Sequence, residues 1–576
     1  MRTVGIGRQD FEKIRVHHNF YVDKTDLIRQ WWEADDDVTL VTRPRRFGKT
    51  LNMSMLEKFF SLEYAGRSEL FEGLFIWQEE KYRRLQGTYP VLFMSFANVK
   101  ETDFASARRK ICQLIADVYA RYSFLLEEGG LAGAERETFL RKNVNMDDVD
   151  ATLALGQLSH YLSRYYGRNV ILLLDEYDTP MQEAYVNGYW EELISFIRNL
   201  INATFKTNPC FERAFMTGIA RVSKESFFSD PNNLEVITTT SDKYADCFGF
   251  TEEEVYAALE EYGLSDYREQ VKDWYDGFSF GERKDIYNPW SIINFLDKRK
   301  AGTYWVNTSS NDLLSKLVRE GSRNMKSTFE KLIQGESFRT ELDEQIVYEL
   351  IDRNEQAVWS LLLASGCLKV KRYNEYMSQF GEWKQEYELE LTNFEVKTMF
   401  RGMIRKWFHD VRSDYNDFIK ALLSDDVRMM NTYMNKITLE MFSYFDTGKR
   451  ASGAEPERFY HDFVLGLMVD LADRYMITSN RESGFGRYDI MLEPRTGQPC
   501  TYDAVIIEFK VQAEEEKELS DTVQEALRQI WERNYNAELT AKGIPEAKIR
   551  NYGFAFCGKQ VLIGGGKILC RRSFAF

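Results

Sequence analysis

Lys49 and Thr50 close the stretch Thr42-Arg-Pro-Arg-Arg-Phe-Gly-Lys-Thr50, and both are residue types that hold a polyphosphate and its counter-ion. A lysine behind Gly48, at the start of a helix, reaches terminal phosphates. The neighbouring threonine hydroxyl can hold Mg²⁺, and the backbone N–H groups and positive dipole end of the helix take the remaining negative charge. A second pair, Asp175-Glu176, follows the wholly apolar run Val170-Ile-Leu-Leu-Leu174. An aspartate at the end of a buried strand can bind the water shell of Mg²⁺, and a glutamate beside it can orient the attacking water of hydrolysis. Each half alone is common, as a helix start or as a solvated acidic turn; together they indicate nucleotide binding. A third apolar run ends at Thr217, followed by Gly218 and Arg221. Thr217 is expected to sense the γ-phosphate. Arg221 is expected to act as an arginine finger on its own or a neighbouring subunit, with a surface ion pair as the alternative.

A second constellation lies near the C-terminal end. Arg487-Tyr-Asp489-Ile-Met-Leu492 and Ala504-Val-Ile-Ile-Glu508-Phe-Lys510-Val511 read as strands joined by the turn 493–499. Residues two apart share a face of a strand, so Glu508 and Lys510 project together. With Asp489 opposite, the two carboxylates and the carbonyl of Phe509 form a hard oxygen site for Mg²⁺ or Mn²⁺. Such a site activates water and stabilises charge on a scissile phosphate, with Lys510 positioning or deprotonating the water. An amphipathic helix over 455–475 places Glu457 and His461 on one side, and Glu457 is expected to support the metal through a water. A later helix with the apolar residues Leu519, Val523, Leu527, Ile530 and Trp531 carries Gln529 and Arg533 towards the site or the substrate backbone.

The elements that must position these groups follow from pattern and punctuation. At about 150 residues per domain, 576 residues are roughly four domains' worth of chain. Val38–Thr42, Val91–Ser95, Val170–Leu174 and Ala214–Thr217 are short apolar runs separated by amphipathic helices, which predicts a parallel sheet covered on both faces. Residues 1–240 are therefore expected as an α/β nucleotide-binding domain, 241–330 as a helical lid or winged-helix-like region, and 331–450 as a mostly helical connection interrupted by a strand at 386–391. A polar, glycine-containing stretch at 446–454 is taken as the boundary of a last domain, 451–576. The net charge of -15 excludes a whole-surface attraction to nucleic acid or anionic lipid, so any polyanion site is a local patch. No run approaches a membrane span and the first residues lack a signal core, which predicts a cytoplasmic chain. Seven cysteines without a CxxC pair argue for reduced thiols and against a zinc site.

Four segments, YVDKTDLI (21–28), TRPRRFGKT (42–50), LLLDEYDTP (172–180) and FMTGIARVSKESFFSDPNNL (215–234), closely resemble the bacterial AAA-ATPase-like family. FYHDFVLGLM (459–468), ESGFGRYDIML (482–492), IIEFK (506–510) and EALRQIWERNY (525–535) resemble the PD-(D/E)XK nuclease domain usually fused to it. The resemblance implies a P-loop parallel-sheet ATPase, a helical middle region and a C-terminal α/β restriction-endonuclease-like domain. Arg45, Arg46, Phe47, Gly48, Lys49 and Thr50 would then bind ATP, Thr50 and Asp175 its Mg²⁺, and Glu176 would serve hydrolysis. Asp489, Glu508 and Lys510 would form the nuclease core, with Gln529 and Glu457 in support. The usual first glycine of the phosphate loop is Arg43 here, a departure the family shares, and Tyr488 stands where the wider nuclease superfamily often has proline.

Two functions follow from these residues. The first is an ATP-regulated, Mg²⁺-dependent nuclease acting on DNA, with RNA left open, in a setting of mobile-element handling or defence. The second is a nucleotide-dependent switch or scaffold, self-associating or partner-bound, whose nuclease fold binds without cutting. Residues 451–576 carry 16 Lys and Arg against 19 Asp and Glu, which favours the second, while Arg481, Arg487, Lys510, Arg528 and Arg533 could still form a local basic track.

Overall fold

The computed structural model describes residues 2–127, 130–206, 208–221, 233–306, 317, 323–342, 354–377, 381–409, 414–441, 464, 468, 471, 474–483, 486–495, 503–512, 516, 518–557 and 560–567. The chain divides into two compact units, Met1–Met399 and Phe400–Phe576. Among the described residues no helix is long and apolar enough to cross a membrane.

The first unit is built on the strands β1 (Val38–Thr42), β2 (Val91–Ser95), β3 (Val170–Asp175), β4 (Phe211–Gly218) and β5 (Leu234–Ile237). They form one parallel sheet in the order β2-β3-β4-β1-β5. The four apolar runs of the sequence are its first four strands, and β1 and β3 are buried at every residue, as expected for a sheet covered on both faces. Strand β5, with Glu235 exposed, has a mixed pattern that does not stand out in the sequence. Because β4 lies between β1 and β3, the C-terminal ends of these three strands share one rim. The helix Lys49–Phe60 starts at this rim from Gly48, whose φ of 80° is a left-handed conformation that favours glycine.

Residues 250–298 are not helical throughout. Strands β6 (Phe250–Thr251), β7 (Phe278–Phe280) and β8 (Arg283–Tyr287) form a small antiparallel sheet in the order β6-β8-β7. It packs with the helices Glu252–Glu261, Arg268–Tyr275 and Pro289–Lys298 around Val255, Leu259, Tyr275 and Phe295. Lys24, from the YVDKT segment, ties the chain start to this region by donating to both oxygens of Glu254 and to the Asp246 carbonyl. Further on, the strand expected at 386–391 is longer and has partners: β9 (Phe338–Thr340), β10 (Leu368–Met377) and β11 (Trp383–Leu391) pair in the order β10-β11-β9. Alternating charges, such as Lys371 beside Glu388, hide these strands from an apolar-pattern reading.

The second unit begins well before the glycine-containing stretch at 446–454. The helices Asp414–Ser424 and Val427–Met441 bury Phe418, Leu422, Met430 and Met434 in one core with Ile490, Phe509 and Phe554 of the C-terminal sheet. That sheet runs β12 (Tyr475–Ser483), β13 (Gly486–Pro494), β14 (Ala504–Val511), β15 (Ile549–Cys557), β16 (Gln560–Lys567) in sequence order. All neighbours are antiparallel except β14 and β15, which are parallel and joined through the helix Leu519–Glu532. A parallel pair needs such a crossover, and here the crossover delivers Gln529.

Glu395 is wholly buried and accepts hydrogen bonds from Ser291 Oγ, Tyr304 N and Trp305 N. Burial pushes its carboxyl up from 4.5 to about 7, and the three donors oppose the shift without cancelling it. A carboxyl with a raised folded-state pKa contributes stability that is full below the unfolded value and lost as pH rises through the folded value. Unfolding free energies measured from pH 4 to 8 should therefore fall for wild type relative to Glu395→Gln across this window. The expected difference is on the order of 3 kcal/mol, and parallel profiles for the two proteins would disprove it.

Candidate functional site

The strand order brings the chemistry of the first unit together. Asp175, at the end of β3 and wholly buried, has Oδ1 on the Thr217 hydroxyl at 2.7 Å, from the end of β4. Its Oδ2 accepts from Thr50 Oγ1 at 2.9 Å and Ser95 Oγ at 3.2 Å. Burial raises the Asp175 carboxyl, and the Thr217 and Thr50 hydroxyls act against that rise. Lys49 donates to the carbonyls of Arg43 and Pro44, each at 2.8 Å, so two of its three N–H groups hold the loop closed. Burial lowers its pKa, while Glu176, Asp178 and Asp175 pull it back up. Glu176 donates its backbone N–H to Thr217 Oγ1 and has a φ of 50°, the turn that ends the strand and starts the next helix.

Lys49, Thr50, Ser95 and Glu176 border a cavity of ≈ 550 Å³, within the range of small-molecule sites. Arg45, Lys49, Thr50, Glu176 and Ser95 line its polar side, and Phe20, Val22 and Trp290 line another part. Asp175 with the Thr50 and Ser95 hydroxyls is an all-oxygen set, which suits Mg²⁺. The cavity's lysine, arginines and helix start suit a polyphosphate.

Two residues expected at the nucleotide, Thr217 and Arg221, do not line the cavity. Thr217 is fully buried and bonded to Asp175, so it orients that carboxylate instead of lining the cavity. Arg221 lines a separate cavity of ≈ 20 Å³ with Thr42, Thr238, Thr239 and Thr240. Arg43, in place of the first loop glycine, is buried and turned to protein: it donates to the Thr42, Thr238 and Lys243 carbonyls and stacks on Phe280 at 4.3 Å. The rest of the loop has similar anchors. Phe47 packs edge-on to Phe278 and Phe280, Arg46 lies 4.4 Å from the Trp290 ring, and Asn288 Nδ2 donates to the Arg45 carbonyl.

In the second unit, the antiparallel register that pairs Ile490 with Ile507 carries Asp489 opposite Glu508. Asp489 Oδ2 accepts from the Phe509 N–H at 2.8 Å, and Glu508, only 2% exposed, accepts from Gln529 Nε2 through Oε1. Lys510, two residues on, is half-buried at the same strand end. The carboxylate pair is a hard oxygen set fitted to Mg²⁺ or Mn²⁺. Glu457 and His461 lie outside the described residues, as do the side chains of Arg481 and Arg487.

Tyr535 belongs to this cluster although its type and spacing gave no role. Its hydroxyl lies 3.2 Å from Gln529 Nε2, and the charges of Glu508 and Asp489 help raise its pKa after burial, the larger cause. Asn534, with a φ of 52°, turns the chain back after the helix and returns Tyr535 beneath it, a step no helical periodicity encodes. Another carboxylate group, Glu252, Asp276 and Asp285, already has a cation: Lys272 pairs with all three.

Gln529 reaches Glu508 because its helix lies close against β15, where Gly553 pairs with Glu508. A methyl group at Gly553 would meet Val523 O at 2.8 Å and Ala526 Cβ at 3.0 Å. Gly553→Ala should therefore push the helix from the sheet and destabilise the second unit by about 1–3 kcal/mol, read from denaturant unfolding. A stability equal to wild type would show that the helix can shift freely.

Comparisons with known proteins agree with this geometry. Residues 5–228 match the family described as predicted AAA-ATPase (AAA-ATPase-like), and residues 455–565 match the PD-(D/E)XK nuclease superfamily. An "Uncharacterized protein in vnfD 5'region" of Azotobacter chroococcum is 27% identical over 558 residues, covering 94% of this chain and 95% of that one. The chain thus joins an AAA-ATPase-like domain at its N-terminal end to a PD-(D/E)XK nuclease superfamily domain at its C-terminal end.

Proposed function

We propose that the protein is an ATP-dependent, Mg²⁺-requiring nuclease acting on DNA, in which the nucleotide-binding domain licenses cleavage by the C-terminal domain. The observation that carries this reading is the convergence of Asp489, Glu508 and Gln529 in a chain that also holds Lys49 and Thr50 at one cavity, with the buried Asp175 bonded to Thr50 behind them.

Lys49 and the amides at the start of its helix bind the phosphates, Thr50 and Asp175 hold Mg²⁺, and Glu176 orients the hydrolytic water. Lys49 is released from the Arg43 and Pro44 carbonyls as phosphate arrives, so loop closure and nucleotide occupancy compete for the same donors. In the C-terminal domain Mg²⁺ or Mn²⁺, when bound, supplies Lewis-acid activation of water and neutralises phosphate charge. Asp489 and Glu508 are the carboxylates that hold it. Gln529 fixes the rotamer of Glu508, Tyr535 steadies Gln529, and Lys510 orients the attacking water or takes its proton. Glu457 is assigned a supporting role through water, and Arg221, which lies outside the nucleotide cavity of its own chain, a role at the terminal phosphate of a neighbouring subunit.

The test is cleavage of supercoiled, linear and single-stranded DNA, and of RNA, in Mg²⁺ or Mn²⁺ with and without ATP. Glu508→Ala should lower cleavage at least about a hundredfold, since even second-layer contacts to metal ligands act on a 10- to 100-fold scale. Lys49→Ala should abolish any response to ATP. No cleavage by wild type on any substrate, with ATP still bound, would replace this reading by that of a nucleotide-dependent switch. The slight acidic excess of residues 451–576 is the observation that keeps that alternative in view.

A further inference from the structure

A chain of three side chains links the phosphate loop to the end of β4. Arg45 Nη2 donates to Gln182 Oε1 at 3.1 Å. Gln182 Nε2 donates to Asp178 Oδ2 at 3.0 Å. The same Asp178 oxygen accepts the backbone N–H groups of Ile219 at 2.9 Å and Ala220 at 3.0 Å. Asp178 is buried, while Arg45 and Gln182 are half-buried and line the 550 Å³ cavity.

The order of this chain has a chemical logic. An ionised aspartate can only accept, so it takes the NH₂ end of Gln182 and leaves the amide oxygen for Arg45. Gln182 lies one helical turn beyond Asp178, on the helix Thr179–Asn187 that begins directly after the Asp175-Glu176 turn. Arg45 is thereby held at the hydrolytic end of the cavity, near enough for its charge to act on Lys49. A guanidinium has five N–H donors in a planar fork, and the bond to Gln182 leaves the others for a phosphate.

We infer that Gln182 is a positioning residue that presents Arg45 to the terminal phosphate of a nucleoside triphosphate, so that the pair sets selectivity for triphosphate over diphosphate. The inference rests on the nucleotide-binding reading above and adds to it the residue that orients Arg45. Lys49 and the loop amides would hold either nucleotide. A diphosphate has no terminal group for Arg45 to meet, so the contribution of Arg45 falls on one ligand alone. Asp178 adds a consequence: the bond that orients Gln182 shares its acceptor with the Ile219–Ala220 turn, so the loop and the segment leading to Arg221 are held by the same carboxylate.

The test uses the full chain and measures displacement of a fluorescent adenine nucleotide by ATP and by ADP at fixed Mg²⁺ and salt. Wild type is compared with Arg45→Ala, Gln182→Ala, Gln182→Met and the Arg45→Ala/Gln182→Ala double variant. Gln182→Met keeps the volume without the hydrogen bonds, and thermal melting with saturating ADP checks that each variant is folded. Arg45→Ala should lower the ATP-to-ADP affinity ratio at least about tenfold, as loss of a charge-assisted contact to one ligand does. Both Gln182 variants should lower it several-fold, and the double variant should fall no further than Arg45→Ala, because Gln182 acts through Arg45. A purely structural role would weaken ATP and ADP alike. An unchanged ratio in both Gln182 variants overturns the inference, and so does a double variant that loses the full Gln182 effect again. Wild type that binds neither nucleotide overturns the nucleotide-binding reading itself.

Discussion

An ionised carboxylate at the end of a wholly apolar strand is unfavourable unless its oxygens are hydrogen-bonded, and Asp175 meets that demand with three hydroxyls from three other segments. Thr50 comes from the helix after β1, Ser95 from the end of β2 and Thr217 from the end of β4. Each must arrive in register, since a slip of one residue in a strand would turn its side chain to the opposite face. Satisfaction of this one buried acid therefore constrains the strand order, the strand ends and the entry of the helix Lys49–Phe60. The same arrangement gathers Lys49 and the hydroxyls of Thr50 and Ser95 beside a cavity, so the structural requirement and the chemical one have a single solution.

The phosphate loop depends on that rim but takes its shape from elsewhere. Between Thr42 and Lys49 it has one glycine, Gly48, and its remaining residues are held from outside: Arg43 by three carbonyls and Phe280, Arg46 by Trp290, Phe47 by two phenylalanines. A loop richer in glycine can close around phosphate by itself. Here the small sheet β6-β8-β7 and the helix Pro289–Lys298 supply the surfaces against which it is folded. Residues 250–298 are thus part of the loop's architecture, and their folding and the loop's conformation are thermodynamically linked.

The C-terminal sheet reaches a comparable end by other means. Antiparallel register sets Asp489 beside Glu508, and the parallel step from β14 to β15 requires a crossover helix that returns Gln529 and Tyr535 to the same place. Gly553 permits the close approach of that helix. Two early helices, from 414 to 441, complete the core beneath the sheet, which explains why the compact unit starts far ahead of its most polar linker.

The two chemical centres could be read from residue order because their groups sit at the ends of apolar runs or two apart on a strand, and such local periodicity survives folding. The parallel sheet was legible for the same reason. Strand β5, the β10–β11 pair and the small sheet at 250–287 were not, since their residues are mixed or charged and become strands only through partners distant in sequence. Contacts within the two candidate sites divide the same way. Lys49, Thr50, Asp175, Asp489, Glu508 and Gln529 have types and spacings that announce them. Ser95, Asp178, Gln182 and Tyr535 do not, and Thr217 and Arg43 point where no spacing predicts. Sequence alone determined which groups could act, because covalent order and strand or helix period place neighbours. Tertiary structure alone decided which groups meet across elements, because burial leaves polar atoms no partner but the one that packing brings.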